Sequence, residues 1–148
     1  MGILPFREKN GALQVYLAHF GGPFWKNKKR SWTIIKGEAE DDEKDLQTAK
    51  REFFEETGVK IDGEFIDLGE VKSSSKINHI YAIKSPDLTT QISSNKVKIE
   101  WPSGSGRFVE FPEVDQTAWI DMDKAKEIIV KSQVPFLDRL QDIILLQR

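Results

Sequence analysis

Residues 37–59 read GEAEDDEKDLQTAKREFFEETGV. Leu46, Ala49 and Phe53 fall on one stripe at helical spacing, which gives a helix here an apolar face to bury. Asp41 and Asp42 offer N-cap oxygens and negative charge to its start, and Gly58 is a natural C-cap. On another side of the same helix Glu52, Glu55 and Glu56 stand at i, i+3 and i+4. Like charges stacked one turn apart destabilise an isolated helix, so an ordinary helix has little reason to gather them. A hard divalent cation reverses the sign of that repulsion, because Mg²⁺ takes oxygen ligands and keeps company with phosphates. The pattern predicts a metal site presented to a phosphate-bearing ligand. Glu52 and Glu56, one turn apart, are the first candidates to hold the ion.

Outward from this helix the chain reads as alternating strands and turns. Residues 13–20 form a strand candidate introduced by the Asn10-Gly11 turn, and Gly21-Gly22-Pro23 ends it. Residues 24–31 (FWKNKKRS) are a basic loop that opens on aromatic residues, and residues 32–35 are a short buried strand. Downstream, residues 64–72 and 77–83 alternate as paired strands around Ser73-Ser74-Ser75. Residues 85–96 read as an irregular polar connection. Strands are expected at 97–101 and 118–121, and helices at 123–130 and 135–147. This order fits an α+β protein built as an α/β/α sandwich on a mixed β-sheet.

The 148 residues carry a net charge of −2 and no cysteine. That length fits one domain, 1–148, with a core that needs no staples. The charge disfavours a general nucleic-acid binder. Without cysteine there is neither a disulfide framework nor a thiol nucleophile, which suits a reducing compartment. The segment MGILPFREKNG is too short and too soon charged for a signal peptide, and no apolar run reaches membrane-spanning length. The expectation is a soluble, cytoplasmic protein, monomer or homodimer, with no membrane and no stable nucleic-acid partner.

The segment 37–59 resembles the Nudix box at every defining position: Gly37, Glu43, Arg51-Glu52, Phe53, Glu55-Glu56, Gly58 and Val59. This resemblance implies the Nudix fold, with the box as a loop-helix-loop. It also implies Mg²⁺-dependent (Mn²⁺ possible) hydrolysis of a phosphoanhydride in a nucleoside diphosphate linked to another group. In similar enzymes the backbone carbonyl matching Gly37 also meets the metal, and Glu55 is a further ligand or supports the ligands. Arg51 orients a catalytic glutamate there, and Glu43 holds Arg51. Several families add an outlying glutamate six residues before a tryptophan that ends the next strand. Glu113 has that interval to Trp119, and Glu110 competes with it.

Residues 32–37 (WTIIKG) resemble the Trp-x-x-Pro-Lys-Gly motif of diadenosine polyphosphate hydrolases, with Ile35 in place of proline. EWPSGSGRFVEFPEVDQTAW (100–119) and VPFLDRL (134–140) resemble a bacterial group of NTP pyrophosphohydrolases. A dinucleoside polyphosphate or a (d)NTP is therefore the leading substrate class. The alternatives are an ADP-ribose or nucleotide-sugar pyrophosphatase, and a non-catalytic nucleotide-binding Nudix module. Lys36, just before the box, and Lys28 in the basic loop are candidates for phosphate contact. Trp25, Trp32, Tyr81 and Trp101 are each open to two readings, a stacked base or core packing. His19 and His79 read as structural histidines on strands.

Overall fold

The computed structural model describes residues 1–37, 45–74, 76–85, 88 and 96–147. The strands β1 (Gly2–Lys9) and β2 (Ala12–Phe20) form a hairpin. Its Asn10-Gly11 turn has both residues at positive φ, 54° and 80°. That is the tight turn whose twist matches the flanking strands.

β1 does not appear among the strands expected from sequence, and Pro5 is the reason. Proline has no N–H for a ladder and so argues against a central strand. In the structure β1 pairs with β2 only from Phe6 onward, and with β4 (Ile35–Lys36) only through Gly2 and Ile3. Pro5 falls where β1 changes partner on that side. The last part of β2 pairs instead with β3 (Trp32–Thr33), through Ala18 and His19. Residues 32–36 thus fill a wedge between two diverging strands.

On its other side β1 runs parallel to β6 (Lys76–Lys84), which forms a hairpin with β5 (Phe65–Ser73). β9 (Val114–Asp121) pairs along the outer side of β2. The result is a seven-stranded mixed sheet. A separate two-stranded ribbon joins β7 (Lys96–Glu100) to β8 (Phe108–Pro112). β8 and the first residues of β9 extend the strand expected at 118–121; Glu113 alone separates them.

Alternation along the strands sorts the core into two layers. Ile3, Tyr16 and Ala18 face α1 (Asp45–Thr57), where Ala49 and Phe53 pack, both fully buried. Leu4, Val15 and Leu17 face α2 (Met122–Ile128) and α3 (Val134–Leu146), meeting Ala125, Phe136, Leu137 and Leu140. This is the expected α/β/α sandwich. Gly58 ends α1 at φ +74°, and its N–H donates to the Phe54 carbonyl at 2.7 Å. The expected N-cap residues Asp41 and Asp42, and most of the connection at 85–96, lie outside the described residues. Among the described residues no helix is long and apolar enough to cross a membrane.

Candidate active site

The wedge strand delivers Gly37 to the box helix, and a buried glutamine fixes its course. Ile34 falls between β3 and β4, outside the ladder. The Gln133 side chain accepts the Ile34 N–H through Oε1 at 2.8 Å, and its Nε2 donates to Thr33 Oγ1 at 2.9 Å. At the end of β4 the Gly37 N–H donates to the Met1 carbonyl at 2.8 Å. The Gly37 carbonyl accepts from the Met1 amino group at 2.9 Å. A Cβ built on Gly37 would overlap the Glu52 carboxylate. Only glycine lets the backbone approach that carboxylate so closely.

Arg51 grips the carboxylates from the flank. Its Nη1 lies 3.1 Å from Glu52 Oε1 and 2.9 Å from Glu55 Oε1. Burial pushes the Glu52 carboxyl above the ordinary carboxylate range; the Arg51 guanidinium opposes that rise, and the charges of Glu55 and Glu113 add to it. Glu52 is mostly shielded from solvent, whereas Glu55 is exposed. Glu43, expected to hold Arg51, lies outside the described residues.

Glu113 occupies the corner between β8 and β9. Its carbonyl accepts the Gly21 N–H at 2.9 Å, and the neighbouring Val114 pairs with Phe20 past a bulge at Asp115 in β9. Glu113 shares the lining of a small cavity of about 80 Å³ with Glu56 and Lys36. It also lines a second cavity, of about 350 Å³, with Gly37, Lys36 and Lys76. Glu110 is placed differently: it stands on the ribbon strand β8, with Lys96 4.0 Å from its carboxylate.

Other candidates are spread out. Lys28 lies over the Phe24 ring at 4.6 Å, on the exposed loop. Trp32 meets His19 edge-on at 5.1 Å and packs against the core layer of α2 and α3. Tyr81 stacks on His79 at 4.6 Å and packs against the layer of α1. His19 Nδ1 lies 2.7 Å from Asp115 Oδ1, and His79 Nε2 lies 2.6 Å from Asp67 Oδ1.

The structure adds Phe20, Lys76 and Asn78, which sequence reasoning did not select. Lys76 and Asn78 line the cavities around Lys36. They reach it because β6 runs parallel to β1, with Gly2 opposite Ile80. Such a non-local pairing leaves no local signal. Two roomier cavities, of about 360 and 430 Å³, flank the end of α3 and contain no box residue. Their size alone gives them no chemistry.

Among the described residues no three histidine or acidic side chains converge tightly enough to form a ready-made metal cage. The donor set still suits a hard cation. It offers carboxylate oxygens on one helix side, a glycine whose backbone touches one of them, and a carboxylate whose charge burial disfavours. A divalent ion stabilises that charge and takes oxygen ligands.

The NUDIX domain family model matches residues 1–140. The chain belongs to this family, and the class so defined is that of the Nudix pyrophosphohydrolases. A search of curated proteins finds no match. Among solved structures, the NUDIX domain of Shewanella oneidensis NrtR complexed with ADP ribose is similar at 16% identity and a TM-score of 0.66. That match covers 97% of this chain and 85% of the other. A C. elegans Ap4A hydrolase binary complex is similar at 17% identity and a TM-score of 0.61, covering 97% and 95%. A mutT/nudix family protein from Listeria innocua gives 17% identity, a TM-score of 0.60, and coverage of 99% and 92%. At these identities the likeness concerns the fold.

The grip of Arg51 yields a prediction. Arg51→Ala should lower kcat/KM by about tenfold or more, since displacing the carboxylates it holds by even about 1 Å is costly if they act in the reaction. It should also move the acid limb of the pH–rate profile to higher pH, because the guanidinium is what favours the charged form of Glu52. The half-buried pair should contribute only about 1 kcal/mol to stability. Arg51→Lys should recover part of the activity, as lysine keeps the charge but loses the fork that reaches two carboxylates. An Arg51→Ala enzyme with a wild-type pH profile would remove the positioning role.

Proposed function

We propose that this protein is a divalent-metal-dependent hydrolase that cleaves a phosphoanhydride in a nucleoside diphosphate linked to another group. A dinucleoside polyphosphate or a (d)NTP is the leading substrate class. The observation that carries this reading is Gly37 pressed against the Glu52 carboxylate, beside Glu55, Glu56 and Glu113. In this reading Glu52 and Glu56 hold the ion, with Glu55 and the Gly37 carbonyl close by. Mg²⁺, or Mn²⁺ in its place, would neutralise phosphate charge and lower the pKa of water. In this reading Glu113 orients and deprotonates the attacking water. Lys36 and Lys76, which line one cavity with Glu113, would meet the remaining phosphate oxygens. Arg51 keeps Glu52 and Glu55 in register.

A second reading is cleavage of ADP-ribose or a nucleotide sugar. It is favoured by the ADP ribose held in one of the similar structures. A non-catalytic sensor is disfavoured by the intact set of Glu52, Glu55 and Glu56, which binding alone does not require. The deciding experiment is a product screen over (d)NTPs, dinucleoside polyphosphates, ADP-ribose and nucleotide sugars, with Mg²⁺ or Mn²⁺. Turnover of at least one class is expected, with loss in EDTA. No turnover of any class by folded protein would leave the sensor reading standing.

The outlying carboxylate can be assigned on the substrate so found. Glu113→Gln should lower kcat at least about tenfold, the low end of what a positioned base contributes. Glu110→Gln, on the ribbon beside Lys96, should cost much less. The opposite ranking, at fixed pH and metal, would move the base to Glu110.

A further inference from the structure

Phe20 and Trp25 stand apart from the candidates Trp32 and Tyr81, and also from Trp101, which is exposed, 6.4 Å from Phe24, and does not line the cleft described next. Trp32, Tyr81 and Trp119 pack against one or other core layer, whereas Phe20 and Trp25 belong to neither. Their rings stack on each other, with centroids 4.5 Å apart and planes 22° from parallel. Both line a cavity of about 340 Å³ together with Lys36 and Lys76. That size falls within the range of small-molecule sites. Phe20 also lines the small cavity that holds Glu56 and Glu113. The cleft therefore runs from carboxylates, past lysines, to an aromatic pair.

The pair is held in place by backbone. The Phe20 N–H donates to the Ser31 carbonyl at 3.0 Å, and the Lys28 N–H to the Trp25 carbonyl at 3.1 Å. Gly22, at φ +90°, lies so close to the Phe111 ring that a Cβ there would overlap it. The loop is thus seated against β8, and Phe24 adds an edge-on contact to Trp25 at 5.1 Å. Anchored aromatic rings outside a core, next to cations in a cleft, suit a planar aromatic ligand with attached negative charge.

We propose that Trp25, backed by Phe20, is a nucleobase-stacking subsite, and that Lys36 and Lys76 lead from it along the phosphates toward Glu113 and the box carboxylates. The ligand class is a nucleoside phosphate, recognised by its base. This deepens the reading of the substrate as a nucleotide and rests on it. Stacking tolerates every base, so this subsite secures the nucleoside while leaving base identity to other contacts.

The test is equilibrium binding by calorimetry in EDTA, where no turnover occurs, using AMP, GMP, CMP, UMP and ribose 5-phosphate. At least one nucleoside monophosphate should bind the wild-type chain about tenfold more tightly than ribose 5-phosphate, in line with one stacked base. Trp25→Leu, which keeps apolar bulk without a π face, should lose that advantage and leave ribose 5-phosphate binding unchanged. Trp25→Phe should keep most of it and serves as the folded control. The proposal is overturned if no monophosphate outbinds ribose 5-phosphate, or if Trp25→Leu and Trp25→Phe bind alike. Because no chemistry is measured, base binding through Trp25 survives a negative hydrolysis screen, and its failure leaves a positive screen intact.

Discussion

Glu52→Gln and Glu56→Gln should each lower kcat by about a hundredfold or more at saturating Mg²⁺, while the protein stays folded. A bound cation contributes several kcal/mol of transition-state charge stabilisation, and a factor of a hundred needs only about 2.7 kcal/mol of it. The substitutions keep side-chain shape and remove the charge. Stability at neutral pH should not suffer at Glu52. Burial raises its folded-state pKa, so its stabilising contribution belongs to the protonated form. That contribution is present at acid pH and lost as pH rises through the folded-state value. A permanently neutral glutamine gives up none of it at pH 7. Thermal melting and kcat measured on the same preparations separate the two effects. Near-wild-type turnover by either folded variant would take that residue out of the metal site.

Gly37→Ala should also cost about a hundredfold in kcat, the size expected when a reacting constellation moves by about 1 Å. The reason is space, not backbone strain, since Gly37 is not among the glycines with positive φ. The new methyl would occupy the place of the Glu52 carboxylate. Either the loop or the carboxylate must move, and both belong to the same site. The Mg²⁺ concentration needed for half-maximal rate should rise together with the loss of kcat. A Gly37→Ala enzyme with wild-type metal dependence would show that the close approach of backbone and carboxylate has no bearing on catalysis.

What the sequence revealed was mostly local. The spacing of Leu46, Ala49 and Phe53 specified a helix with one buried side, and Ala49 and Phe53 are fully buried. Asn10-Gly11 specified the turn that opens β2, and Gly58 the helix end. The carboxylate triplet and the Nudix pattern pointed to the family by residue type and spacing alone. β1 was illegible because Pro5 breaks the ladder rule at the point where the strand changes partner. The ring of residues around Lys36 was illegible for another reason: Lys76, Asn78 and Trp25 come together only through the pairing of β6 with β1 and the seating of a loop on β8. Among the aromatics, composition gave no basis for preferring Trp25 to Trp32. Burial supplies it, since Trp32 and Tyr81 pack against the core and Trp25 lines the cleft.

In the proposed reaction the box carboxylates act through a divalent ion on a phosphoanhydride. Its most direct test is the hydrolysis rate of the best nucleotide substrate against free Mg²⁺ concentration, for the wild-type chain and for Glu52→Gln. No turnover is expected after exhaustive metal removal, with a saturable rise as Mg²⁺ returns. For Glu52→Gln the curve should be displaced to higher Mg²⁺ with a lower plateau. A rate that persists undiminished in metal-free buffer, or identical curves for the two proteins, would rule out metal-assisted hydrolysis at these carboxylates.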